Sequence, residues 1–229
     1  MIQIACSTDC LPGIPADQAA GLIRRAGFER VETAIGDSLP GLPTAVFRAS
    51  LEQILSRSDA EPPPVLPAEG ILAAYTALTR KASMEALVEA VENALDLVSS
   101  RAPDLRLAIL NRCGSRVEQL EDLLLILQRI EQTPLRLALD AVEFHRASVN
   151  PRDALRGWID RLSVVRLADM AGGRIVPLGE GEINIPALLE RLSTGGFDGT
   201  LVVAGIVPPG TDPAARLARE LQMIRDHLG

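Results

Sequence analysis

Aromatic side chains are scarce in this chain, with one Trp, one Tyr and four Phe among 229 residues. A core must therefore be assembled mainly from Leu, Val, Ile and Ala, and a hydrophobic content of 47% is enough for one large core. A single domain over 1–229 is the expectation. Long apolar runs are also lacking: nothing approaches the roughly 18 uncharged residues of a membrane span, and the opening MIQIACSTD has neither the basic start nor the apolar stretch of an export signal. A cytoplasmic protein with no membrane partner is expected. Positive charge is in deficit, with 23 Lys and Arg against 30 Asp and Glu, and Lys81 is the only lysine. A net charge of −7 argues against a broad basic face, so no nucleic-acid partner is expected. Cysteine and histidine are few. Cys6 and Cys10 have no second Cys/His pair to complete a metal cluster, and three thiols without an export signal point to reduced cysteines.

What is present is an alternation of short β-like runs and helical ones from end to end, the pattern of parallel sheets with crossover helices. Strands are expected at 2–7, 30–35, 104–111, 135–142, 161–169 and 199–205. Helices are expected at 16–26, closed by Gly27, and at 84–100 behind a Ser83 N-cap. Further helices are expected at 117–131, 151–158, 185–192 and 213–228. The stretch 43–60 reads as helix, the prolines at 62–64 and 67 as a break, and 65–78 as one or two short strands. Seven or eight strands in an α/β chain without a glycine-rich phosphate turn after the first strand predict a (β/α)8 TIM barrel. One βα unit between residues 35 and 77 is expected to be trimmed or irregular.

Four segments in order then resemble the xylose-isomerase-like TIM barrels, which comprise sugar and sugar-phosphate isomerases and epimerases and the related apurinic-site endonucleases. GFERVE at 27–32 is similar to the end of that family's first unit, and LDAVEFHRASVNP keeps the separation between its aspartate and its Asn-Pro helix start. RLSVVRLAD at 161–169 is similar to its histidine-bearing strand, and PLGEGEINIPALLERLSTGGFDG matches its PLGEGE segment almost position for position. The resemblance implies a divalent metal at the C-terminal ends of the strands, acting as a Lewis acid on substrate oxygens. The matching positions hold Leu110 for the first glutamate, Asp140 for the aspartate, Glu143 for one histidine, Arg166 for the next and Ala204 for the last glutamate. Leucine and alanine donate nothing, and a guanidinium repels a cation, so no metal and no other cofactor is expected.

Arg166 and Asp140 should end neighbouring strands and face one mouth, where an ion pair would neutralise the carboxylate as a cation would. The alternative use of Arg166, with Arg112, is to hold a phosphate or carboxylate on a ligand. Asp140 and Glu143 are the candidate bases and Asp169 a second acid or a loop anchor. Glu32, Asn111 and His145 complete the substrate-binding candidates, His145 on a loop. Glu180 and Glu182 read as turn residues between glycines, Trp158 as helix packing and His227 as a C-terminal helix cation. Two functions follow. One is a sugar or sugar-phosphate isomerase or epimerase with an eroded metal site, moving protons on a small polyol, keto acid or sugar phosphate. The other is a non-catalytic relative binding a small anion or a protein partner. A homodimer is compatible with trimmed outer helices, and the leucine-rich segment 117–131 is where its surface would lie.

Overall fold

The computed structural model describes residues 2–56, 65–130 and 134–228. Eight parallel strands close into a barrel: β1 (Gln3–Ser7), β2 (Val31–Ala34), β3 (Thr44–Ser50), β4 (Glu69–Tyr75), β5 (Asp104–Leu110), β6 (Arg136–Asp140), β7 (Leu162–Leu167) and, after a two-stranded hairpin, β10 (Thr200–Val203). The hairpin, β8 (Asp169–Ala171) and β9 (Arg174–Val176), rises from the end of β7. The ring order β1-β10-β7-β6-β5-β4-β3-β2 closes where Gln3 pairs with Thr200 and Ser7 with Glu32. The (β/α)8 barrel read from the sequence is the observed fold.

Two apolar layers hold it together. Inside the barrel the lumen is filled largely by small residues, Ala5, Ala73, Ala108 and Ala138, with Val46, Ile71, Val164 and Val202 between them. The larger layer lies between strands and helices, where Ile23, Leu87, Val91, Leu123, Ile126, Leu188 and Leu217 are all at most 1% exposed. The helices are α1 (Ala16–Arg25), α2 (Leu51–Ile54), α3 (Met84–Arg101), α4 (Leu120–Arg129), α5 (Ala141–Arg146), α6 (Ile185–Thr194) and α7 (Pro213–Leu228). Ser83 caps α3 by accepting from the Ala86 amide, and Gly27, at φ +92, turns the chain out of α1. Among the described residues no helix is long and apolar enough to cross a membrane.

The structure corrects several sequence-based boundaries. Within 43–60, residues 44–50 form β3, and helix is confined to the single turn α2, held by a Ser50/Gln53 capping box; 57–60 lie outside the described residues. No helix links β2 to β3, so the expected irregular unit is located there. Only 69–75 is a strand within 65–78, and 62–64 are also outside the described residues. The 151–158 helix is reduced to a 3-10 turn at Asp153–Leu155, because the polypeptide has already formed α5 immediately after β6. Trp158 therefore packs from a non-helical position, 2% exposed, with its indole N–H donating to the Ala154 carbonyl. The 117–131 helix starts at Leu120, and Glu131 is outside the described residues.

Candidate functional site

The strands' C-terminal ends place Glu32, Arg48, Tyr75, Asp140 and Arg166 around one opening. Asp140 and Arg166 are register neighbours on β6 and β7. From β7 the Arg166 side chain crosses the lumen to β2, where its Nε lies 2.9 and 3.1 Å from the two oxygens of Glu32. Its Nη1 donates to Asp140 Oδ2, and its Nη2 lies 3.2 Å from Oδ2 of Asp9, in the 3-10 turn Thr8–Cys10 after β1. One guanidinium thus bridges three carboxylates. Burial disfavours its charge, but Glu32, Asp140 and Asp9 outweigh that effect, and its pKa is held above the ordinary arginine value. Arg48 adds a second cation, 2.7 Å from Asp9 and with Nε 3.1 Å from Glu32, which is fully buried.

The other oxygen of Asp140 is also engaged. Oδ1 accepts from the Val142 and Glu143 amides at 3.0 and 3.2 Å, making Asp140 the N-cap of α5. Asn111, fully buried, clamps the same residue from β5: its Nδ2 donates to the Asp140 carbonyl at 3.1 Å and its Oδ1 accepts from the Asp140 amide at 2.6 Å. Glu143 accepts from the Cys113 amide at 2.9 Å and from Arg146 at 2.7 Å. Arg112 differs from these. Its guanidinium lies 4.6 Å from the centre of the Tyr75 ring, in cation–π contact, and among the described residues no carboxylate pairs with it.

Two sequence candidates lie away from this cluster. Asp169 is fully buried and accepts four backbone N–H groups: Met170 and Ile183 on Oδ1 at 2.8 and 3.0 Å, Gly179 and Gly181 on Oδ2 at 3.1 and 2.8 Å. The GEGE turn hangs on this carboxylate, and Gly181 is required there because a Cβ would sit 2.3 Å from Asp169 Oδ1 and 2.5 Å from the Met170 carbonyl. His145 belongs to α5 rather than to a loop, and its Nε2 lies 3.4 Å from Glu182. Glu182 has its pKa lowered, chiefly by the Gly172 amide and then by His145. Sequence reasoning missed Asp9, Arg48 and Tyr75. Asp9 carried one signal, its place directly after a barrel strand, where such folds build their sites.

Two small cavities open at this mouth. One, of about 200 Å³, is lined by Arg48, Tyr75, Asn111 and Arg112, the other, of about 270 Å³, by Val142, Ala168, Ile175, Ala204 and Ile206, and they share Asp140, Glu143 and Arg166. Among the described residues no group of three or more His, Cys, Asp or Glu side chains is disposed to hold a metal ion.

Comparison with solved structures gives likenesses over the whole barrel. 3-Keto-D-glucoside 4-epimerase (YcjR) of E. coli, in its apo form, is 15% identical over 99% of this chain and 100% of that one, with a TM-score of 0.73. The probable 3-DHS dehydratase AsbF of Bacillus anthracis is 13% identical over 98% and 99%, with a TM-score of 0.72. The IolI protein, solved with a zinc atom bound, is 14% identical over 99% and 98%, with a TM-score of 0.73. At these identities the likeness is one of fold. Comparison with curated protein sequences gives no match. A family description fits the sequence itself: residues 63–227 match the xylose isomerase-like TIM barrel, and the chain belongs to that family.

Proposed function

We propose that this barrel is a metal-independent member of its family that binds a small anionic molecule at the mouth, without catalysing proton transfer on it. The observation that carries the reading is the state of the mouth carboxylates. Asp9, Glu32 and Asp140 all share the Arg166 guanidinium, Asp140 spends its other oxygen on capping α5, and Glu143 is engaged by an amide and by Arg146. A general base needs a free lone pair aimed at the substrate's proton, and these oxygens are aimed at fixed donors.

The divalent metal implied by the family does not fit this set. Leu110 and Ala204 bring no donor atoms, and the Arg166 guanidinium stands between the carboxylates that would otherwise converge on an ion. The anion is assigned to Arg112, the mouth guanidinium that no carboxylate neutralises among the described residues, with Tyr75 holding it in place. Metal analysis of the purified protein, with thermal shifts in manganese, cobalt, zinc, magnesium and inorganic phosphate, tests the reading. The expected outcome is no stoichiometric metal, no shift with cations and a rise in melting temperature with phosphate that Arg112→Gln removes. A bound divalent ion that stabilises the fold would overturn it.

One observation favours a second reading. Glu143 lines both cavities, and its partner Arg146 is 39% exposed, so a substrate could displace that arginine and leave Glu143 to act as an acid or base in an isomerase or epimerase reaction on a sugar phosphate or keto acid. Exchange of substrate C–H protons with deuterated solvent, absent in Glu143→Gln, would support it.

A further inference from the structure

The two cavities at the mouth are of opposite character, and their order fixes what kind of molecule spans both. On the β3–β5 side the lining is polar and cationic, with Arg48, Asn111 and Arg112 beside the Tyr75 ring. On the β7–β10 side, beneath the β8–β9 hairpin, Val142, Ala168, Ile175, Ala204 and Ile206 make an apolar lining, with Asp9 at its edge. Asp140, Glu143 and Arg166 line both chambers, which meet at these side chains. Ile206, 38% exposed, and Val65 are the two large apolar side chains left exposed among the described residues, and Ile206 stands on the rim of the apolar chamber. A polyol would bury hydroxyls against that wall with few partners, which is costly.

We infer that the mouth selects a carboxylate bearing an apolar or aromatic tail, its anionic group held by Arg112 in the polar chamber and its tail lying between Ile175, Ala204 and Ile206 in the apolar one. The inference rests on the anion-binding reading above and narrows its ligand class. Together the chambers enclose a volume in the lower part of the range of small-molecule sites, so the tail is a single ring or a short chain. Arg112 supplies orientation and Ile206 supplies desolvated contact, and neither alone gives tight binding.

The test is calorimetric titration of the full chain with 3-phenylpropionate, propionate, 3-phenyl-1-propanol and inorganic phosphate. The acid with the ring is expected to bind at least about tenfold more tightly than either fragment, each tenfold being one step of affinity. Arg112→Gln should weaken it about tenfold while leaving 3-phenyl-1-propanol unchanged. Ile206→Asp, at a rim position that tolerates a polar side chain, should bring the acid down to the level of propionate. Propionate and phosphate binding as well as 3-phenylpropionate would overturn the two-chamber inference and leave the anion-binding reading standing. The alcohol binding as tightly as the acid would overturn the role of Arg112. No binding by any of the three anions would overturn both readings together.

Discussion

At the C-terminal end of the barrel, Asp9, Glu32, Arg48, Asp140 and Arg166 interlock across the lumen. At the N-terminal end, Arg30, Glu69, Asp104 and Arg106 line a cavity of about 600 Å³ with no ion pair joining them among the described residues. Composition is similar at the two ends and burial is not. Glu32 is fully buried and Arg166 is 9% exposed, so each would be destabilising without a partner, whereas Glu69, Asp104 and Arg106 are exposed and water satisfies them. A closed mouth lattice and an open N-terminal bowl therefore follow from depth, and substitutions at the two ends should differ by an order of magnitude in effect.

The largest effect is expected for Arg166→Leu. Removing the guanidinium leaves Asp140 without its ion-pair partner and Glu32 with Arg48 alone, and a loss of about 3–5 kcal/mol in urea denaturation is expected. Adding Glu32→Gln should recover part of that loss, because the neutral amide removes a buried charge that Arg166 had helped to balance; no recovery would show that the pair does not interact energetically. Next comes Asp169→Ala, which orphans four amides and loosens the GEGE turn, at roughly 2–4 kcal/mol. Asp169→Asn should cost nearly as much. One of its two polar groups would be a carboxamide NH2, a donor facing backbone N–H donors, so a near-neutral result would break the anchoring argument.

The contrast between the ends also explains what the sequence could convey. The repeating apolar runs gave the barrel and the positions of five helices, since the middle of most strands reads as a short run of Leu, Val, Ile and Ala. β3 escaped notice because TAVFRAS runs without a break into LEQI, whose one helical turn lends helical character to the whole stretch. Asp140 and Arg166 were legible as neighbours because their strands are adjacent. Their link to Glu32 was not, since it crosses three strand boundaries, and Asp9 lies in a short turn with no periodicity at all. The early start of α5 did leave a trace, an aspartate followed three residues later by Glu143, but Asn150-Pro151 drew the helix start ten residues too far along.

A third, smaller effect separates mouth from support. Glu220 on α7 is 2% exposed; its Oε1 accepts from the Leu178 amide at 3.3 Å and from Arg216 at 3.1 Å, while Oε2 is buried without a partner among the described residues. Burial raises its pKa, and Arg216 opposes that only in part. With the folded value above the unfolded one, the folded state binds the proton more tightly. Its contribution to stability is then greatest below the unfolded value of about 4.5 and declines as pH rises through the folded value. Glu220→Gln has no such slope, so the melting temperature of this variant relative to the parent should rise between about pH 4 and pH 7. A flat difference would show that Glu220 keeps its ordinary affinity for the proton.

The smallest effect is expected at the N-terminal bowl. Arg106 is exposed on β5, directly above Asp104 on the same face of the strand, yet water competes with any attraction between them, and an exposed pair of this kind contributes little. Arg106→Ala should change stability by no more than about 0.5 kcal/mol, with the difference shrinking further in 0.5 M salt as screening shortens the reach of the charges. A loss of several kcal/mol would place a hidden ion-pair lattice at this end too. Charge at the two ends of the barrel would then follow one rule rather than two, and depth would no longer explain why only the mouth is closed.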